Sequence, residues 1–303
     1  MKNLVIIDLG SNSIRMAINK RQPNGSFKEI KRLRNPVRLS HDMGPKKILQ
    51  PTVMRHAIQA LTQFHTIYSK FDDYKVIGIA TAAVRQAQNQ KTFLKMVYDA
   101  IGIHVKVLSG TEEAECDYLG VKDQIKAPRY VIMDVGGGSI EIIYVDHQSH
   151  HLISLPVGAV SITERYHLID NVSGANLFGA QEYFHNWLKR VSWLRFVHHV
   201  PLILLGGAHR ALARMNLERD SQPASALGGY SLSRKQIFKE YRHLLAMNLS
   251  QRKHVDGLET NRASVIIGGL LPLTMMMNHL DIDDVHFSNC GVRQGLIKHA
   301  IND

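Results

Sequence analysis

The chain has 303 residues, 45% hydrophobic and 21% charged, the balance of a globular protein of about two domains. No apolar run approaches the ~20 residues of a membrane-spanning helix, and the apolar part of residues 1–8 is too short for a signal peptide, so the expected location is cytoplasmic, with no membrane partner. The formal net charge is +11, and residues 1–50 supply +8 of it, from eleven Lys/Arg against three Asp/Glu, which points to a polyanionic partner or to a solvated basic face.

Nucleic acid is not the expected polyanion, because the chain has no zinc-finger spacing, basic zipper or clear aromatic–basic single-strand motif. Cys116 and Cys290 are far apart without metal spacing and are expected as buried, reduced thiols. The seventeen histidines are scattered. His147, His150 and His151 fall in an expected loop, and neither they nor the His198–His199 pair has ligand spacing.

In chain order, residues 4–18 read as an apolar strand ending near Asp8, a turn of Gly10, Ser11, Asn12 and Ser13, and a second strand that begins with Ile14 and Arg15. The basic stretch 28–38 reads equally as an exposed strand or as one wall of a polyanion channel. Residues 51–70 form an amphipathic helix, with Pro51 near its start. Residues 76–80 form a buried strand that leads through Thr81 to Arg85 into a helix continuing past Asn89. A guanidinium early in a helix suits an anion, although a surface Arg85 is the plain alternative. A short strand at 105–108 precedes Ser109-Gly-Thr-Glu-Glu-Ala114, the start of a helix to about Val121. Of the adjacent Glu112 and Glu113, only one can face a cleft, and the other suits a helix cap.

A charged linker at 122–129, containing Pro128, marks the expected boundary between domains 1–124 and 125–303. Residues 131–145 then repeat the opening design: a strand into Asp134, a turn of Gly136, Gly137, Gly138 and Ser139, and a strand carrying Glu141. Consecutive glycines let backbone N–H groups converge on an anion, and carboxylates beside them suit a divalent cation shared with phosphate. A plain hairpin is the alternative for either stretch alone. Two such units 126 positions apart (134 − 8) suggest duplicated domains facing a phosphate cleft. Helices are expected at 181–197, 233–254 and 262–277. A third strand, 201–206, ends in Gly206 and Gly207 before a helix at 211–215. A last strand at 285–288 leads to a C-terminal helix, about 290–303, that is expected to return to the first domain.

Together these stretches resemble the exopolyphosphatase / guanosine pentaphosphate phosphohydrolase family, of the actin–hexokinase–chaperone ATPase superfamily. The matching segments are residues 8–15, 81–85, 109–114, 134–139 with Glu141, 205–208 and 291–295. They run in family order over nearly the whole chain. The resemblance implies an α/β protein of two ribonuclease-H-like (actin-like ATPase) domains flanking a phosphate-binding cleft. It also implies hydrolysis of phosphoanhydrides with Mg²⁺ or another divalent cation, and it places the catalytic glutamate at Glu113.

The expected metal ligands are Asp8, Asp134 and Glu141. The expected phosphate-binding residues are Ser11, Asn12, Ser13, Arg15, Arg85, Gly136, Gly137, Gly138, Ser139 and Gly207. The expected substrate is inorganic polyphosphate or guanosine pentaphosphate, and a homodimer is compatible with this reading. Exopolyphosphatase is the expected activity. The alternatives are a guanosine pentaphosphate 5′-phosphohydrolase and a non-catalytic polyphosphate or alarmone sensor. A sugar-kinase-like phosphotransferase is disfavoured by a glutamate placed to act on water.

Overall fold

The structure is a computed structural model that describes residues 1–147 and 149–302. The chain divides into two compact units, one of residues 1–113 with the segment from Gly295 onward, the other of residues 114–294. The division falls upstream of the Lys122–Arg129 linker that the sequence suggests as boundary.

Unit 1 is built on a five-stranded sheet. Strands β1 (Asn3–Leu9), β2 (Ile14–Arg21) and β3 (Phe27–Asn35) form an antiparallel meander, and β4 (Tyr74–Ala80) and β5 (Val105–Val107) add parallel strands beyond β1, in the order β3-β2-β1-β4-β5. β1 is buried at every position and reads as a continuous apolar run, as a central strand covered on both faces should. Helices α1 (Pro51–Tyr68), α2 (Ala82–Gln86) and α3 (Gln90–Ile101) follow. Val53, Ala57, Leu61 and Phe64 on α1 and Phe93 and Val97 on α3 bury their apolar stripes in one core with β1 and β2.

Unit 2 repeats this topology. Strands β6 (Arg129–Val135), β7 (Ile140–Asp146) and β8 (Ser149–Leu155) form the antiparallel meander, and β9 (Leu202–Gly206) and β11 (Asp284–Phe287) the parallel side, with β10 (Ser231–Ser233) added at the edge: β10-β11-β9-β6-β7-β8. Without β10, this is the strand order of unit 1 with the same parallel and antiparallel senses. The expected pair of ribonuclease-H-like α/β units is therefore present. Between them in sequence runs α4 (Gly110–Val121). Unit 2 also carries α5 (Ala159–Arg165), α6 (Gly174–Leu188), α7 (Gly207–Arg219), α8 (Arg234–Leu245), α9 (Leu249–Arg252) and α10 (Ile266–Leu280), and α11 (Val292–Asn302) closes the chain. α10 is buried along most of its length and forms the centre of the larger core, as its apolar sequence requires.

Several expected elements differ. The helix expected from Thr81 past Asn89 is broken at Ala87, whose extended backbone ends α2, and Asn89 instead exchanges hydrogen bonds with the Leu49 backbone at 2.9 Å in both directions. The helix expected at 181–197 begins earlier, because Ser173 caps it by accepting from the Asn176 nitrogen at 3.1 Å, and it ends at Leu188. The 233–254 helix is two helices, with Asn248 acting as a second N-cap within it. α7 starts directly at Gly207 and runs far beyond the expected 211–215. His150 and His151 lie in strand β8, not in a loop. Both cysteines are free thiols; Cys116 is buried and Cys290 half-buried. Among the described residues no helix is long and apolar enough to cross a membrane.

Candidate active site

The two hairpin turns are built alike. In unit 1, Asp8 on β1 stands across the ladder from Arg15 on β2, and Leu9 from Ile14, with residues 10–13 between. In unit 2, Asp134 on β6 stands across from Glu141 on β7, and Val135 from Ile140, with residues 136–139 between. Every counterpart is displaced by the same 126 positions (134 − 8, 141 − 15). The difference lies in charge. Arg15 Nη1 reaches Asp8 Oδ2 at 3.6 Å, so the first turn carries a paired cation and anion. The second carries two carboxylates.

In unit 1 the turn is tied into a larger arrangement. Ser11 Oγ accepts from the Ala83 nitrogen at 3.1 Å, at the start of α2. The carbonyls of Asn12 and Ser11 accept from the nitrogens of Arg38 and Ser40 at 3.1 and 2.9 Å. The hydroxyl of Ser13 and Oδ1 of Asn12 are buried with no hydrogen-bond partner among the described residues, which suits a turn that receives a polar ligand. α2 also carries Arg85. Its Nη1 donates to Glu113 Oε2 at 2.8 Å and to the Leu108 carbonyl at 2.8 Å. Glu113 is only 8% exposed. Ser11, Arg85 and Glu113 are thus linked through α2, so the expected phosphate clamp is the direct partner of the expected catalytic carboxylate.

The neighbouring glutamate is different. Glu112 Oε2 accepts from the Ser109 nitrogen at 2.8 Å, its own nitrogen donates to Ser109 Oγ at 3.1 Å, and Oε1 meets Lys106 Nζ at 2.7 Å. This is a capping box at the start of α4. The hydrogen bonds from Lys106 and Ser109 hold its pKa down at about 2. Of the two adjacent glutamates, Glu112 is therefore the one that caps the helix.

In unit 2, Glu141 is 1% exposed and accepts from Ser154 Oγ at 2.7 Å. The glycine turn faces its backbone in two directions. The carbonyls of Gly136 and Gly137 accept from Ala159 and Val160, both at 2.9 Å, and the Gly136 nitrogen closes the turn by donating to the Ser139 carbonyl at 3.0 Å. Gly158 makes this possible: a Cβ there would lie 2.6 Å from the Gly137 carbonyl carbon and 2.7 Å from its oxygen. Gly138 and the Ser139 side chain are buried beneath the turn. A hard divalent cation takes carboxylate oxygens, and Asp134 with Glu141 is the donor pair whose chemistry fits it.

The third glycine turn lies beside Asp134. Gly206 has φ +89°, and a Cβ there would lie 2.6 Å from Asp134 Oδ1, so only glycine admits the carboxylate. Gly207 has the guanidinium of Arg262 where a Cβ would stand. His209 Nδ1 donates to the Leu205 carbonyl at 2.6 Å and fixes the strand-to-helix step, while full burial drives its pKa down to about 4. Ser154, Gly158 and Arg262 were not marked by the sequence. Gly158 follows a Pro-Val turn that could have signalled it; Ser154 and Arg262 carry no local signal.

The sequence pattern of the Ppx/GppA phosphatase family matches residues 18–302. The chain belongs to this family. Among curated relatives of this Ppx/GppA chain is a bifunctional 3-dehydroquinate synthase/phosphatase of Fusobacterium nucleatum subsp. nucleatum, 26% identical over 310 residues, covering 98% of this chain and 46% of that protein. The chain thus spans about half the length of the curated relative it matches. Among solved structures, it is similar to the Aquifex aeolicus Ppx/GppA family member, with 25% identity, a TM-score of 0.80, and coverage of 99% of this chain and 98% of that one. An exopolyphosphatase from Cytophaga hutchinsonii superposes with a TM-score of 0.91 over 99% of this chain and 98% of that one, at 21% identity, and shares the fold.

Proposed function

We propose that the chain is an exopolyphosphatase, removing terminal phosphate from inorganic polyphosphate by hydrolysis, with a divalent cation. The observation that carries this reading is the Glu113–Arg85 pair: a nearly buried carboxylate, held by a guanidinium in the unit that bears the Ser11–Ser13 turn, within a chain of a phosphatase family. Phosphoryl transfer to water needs an oriented water, charge neutralisation and positioning. Glu113 would accept the proton of the attacking water, with Arg85 setting the carboxylate's orientation. N–H groups of residues 11–13 and of the 137–139 turn, with Arg15, would hold phosphate oxygens. Asp134 and Glu141 would hold Mg²⁺ or a similar ion, which neutralises charge on phosphate oxygens when bound. Asp8, already paired with Arg15, would contribute less directly.

Polyphosphate is favoured over a nucleotide by the outer edge of the unit 1 sheet. In the β2–β3 ladder Lys20 stands opposite Lys28 and Arg15 opposite Arg34. Like charges directly opposite one another destabilise a ladder, and a long polyanion lying along it would relieve them. The test is phosphate release from long polyphosphate, short polyphosphate and guanosine pentaphosphate, with and without Mg²⁺. Exopolyphosphatase activity requires release from polyphosphate that depends on the cation and falls ~10²–10⁴-fold in Glu113→Gln. Release that survives this substitution would remove Glu113 from the mechanism. Turnover of guanosine pentaphosphate alone would replace the substrate.

A further inference from the structure

Glu113 stands in the first turn of α4, and the residues that follow it in the helix belong to unit 2. Ala114 and Val121 share a buried cluster with Ile132, Ile143 and Leu205, on the face of the unit 2 sheet opposite the α10 core. At about 100° per residue, Ala114, Tyr118 and Val121 form the stripe that meets the sheet. Glu113, Asp117 and Gly120 lie along one side of this stripe, and Glu115 and Lys122 along the other.

The side that bears Glu113 is fixed by backbone. A Cβ on Gly120 would run into the Gly291 carbonyl, so the two chains touch there with no side chain between them. Asp117 is fully buried beside the same glycine, and a Cβ on Gly291 would stand 3.2 Å from its Oδ1. The opposite side is fixed by one side chain from β8. His150 Nε2 lies 2.9 Å from Glu115 Oε2, and a carboxylate only accepts, so the imidazole donates. The ring is held in place by stacking on Tyr118, with centroids 4.3 Å apart and planes 26° apart. Lys122 Nζ lies 5.5 Å from the centroid of the same Tyr118 ring.

α4 is thus gripped on both sides. Without His150, the contact at Gly120 is left to act as a pivot. Roll about the helix axis matters because a carboxylate is a long lever. At about 5–6 Å from the axis, it moves about 1 Å for every ~10° of roll. A misplacement of about 1 Å can cost ~10²-fold in rate. Arg85 holds the tip of Glu113 and cannot by itself restore the place of its Cα.

We propose that His150 is a positioning residue for the hydrolysis: by holding Glu115 it sets the roll of α4, and so the aim of Glu113. This rests on the reading of Glu113 as the group that takes the proton of the attacking water.

Steady-state phosphate release by the full chain from long polyphosphate and from tripolyphosphate, with Mg²⁺, tests it, with Glu113→Gln measured alongside. His150→Ala is expected to lower kcat at least ~10-fold with KM within about twofold, because the phosphate-binding groups stay in place. His150→Gln, whose amide can donate to Glu115 in place of Nε2, should recover kcat to within about threefold of the unaltered chain. His150→Phe, which keeps a ring on Tyr118 and loses the donor, should not recover it. Glu115→Ala should match His150→Ala, and the double variant should be no slower than either. A purely structural role would lower the melting temperature, leave kcat of the folded protein unchanged, and draw no distinction between Gln and Phe. Circular dichroism identifies a variant that has lost its fold; should His150→Ala be one, Glu115→Ala and the comparison of Gln with Phe decide. Unchanged kcat in the folded Ala variants, or equal recovery by Phe, in a chain that Glu113→Gln inactivates, overturns the positioning role alone. A chain that releases phosphate from neither substrate, or keeps its rate in Glu113→Gln, overturns the reading of Glu113 and the positioning role with it.

Discussion

Asp134 stands directly across the β6–β7 ladder from Glu141, where the equivalent position of unit 1 sets Asp8 against Arg15. One topology, used twice, thus presents two carboxylates in one unit and an ion pair in the other. Under the proposed function, that contrast makes unit 2 the unit that would hold the cation. Ser154, which donates to Glu141 at 2.7 Å, would then orient a metal ligand. Ser154→Ala should raise the Mg²⁺ concentration needed for half-maximal phosphate release by ~10–100-fold, with little change at saturating Mg²⁺. A magnesium titration of the variant checks this.

Arg85 and Glu113 act as one unit if the guanidinium serves to hold the carboxylate. Arg85→Gln should then lower turnover, and the Arg85→Gln/Glu113→Gln double variant should be no slower than Glu113→Gln alone. Losses that multiply instead would show that Arg85 works on the phosphate independently of Glu113.

Glu112 should matter for stability and hardly for activity. Removing the capping box by Glu112→Ala should cost on the order of 1 kcal/mol in urea denaturation, with phosphate release within about twofold of the unaltered chain. The carboxyl's folded pKa, about 2, lies below its ordinary value of 4.5. A depressed carboxyl stabilises the fold above the ordinary value and loses that contribution as pH falls toward 2. The difference in stability between Glu112→Ala and the unaltered chain should therefore shrink across that acid range.

His209 gives a pH dependence at milder acidity. Burial lowers its pKa from 6.5 to about 4. The folded state keeps the ring neutral while the unfolded chain takes up a proton below 6.5, so stability is full above that pH and declines as pH falls toward 4. His209→Gln should flatten this part of the stability–pH profile, measured by urea denaturation between pH 7 and 4.

Gly158 is a severe test of the glycine turn. Gly158→Ala drives a methyl group against the backbone of Gly137, which no side-chain rotation can relieve. The expected cost is about 1–3 kcal/mol in stability, with phosphate release falling more than that loss explains. Thermal denaturation and kinetics on the same preparation separate the two effects.

Much of this arrangement could be read along the chain because it is local. The turns at 10–13 and 136–139, their flanking apolar strands and the Ser109–Glu113 start of α4 are each set by a few consecutive residues. What could not be read depends on distant partners. Arg85 meets Glu113 across 28 positions, and Arg262 covers Gly207 from a segment 55 positions away (262 − 207). α6 was misplaced because Gly174 and Gly179 weaken its helical signal, whereas the Ser173 cap and the burial of Ala180, Phe184 and Leu188 override it. His150 looked like part of a loop, but it is held in β8 by pairing with Val145, and its ring stacks on Tyr118 at 4.3 Å.

Unit 1 draws its last segment, from Gly295 onward, from the far end of the sequence. On the ribosome, residues 1–113 emerge first, yet this unit waits for roughly 180 further residues before its closing helix can dock. Unit 2 is continuous and can finish while its predecessor is still incomplete. The sheet that is synthesised first is therefore the one whose unit is completed last.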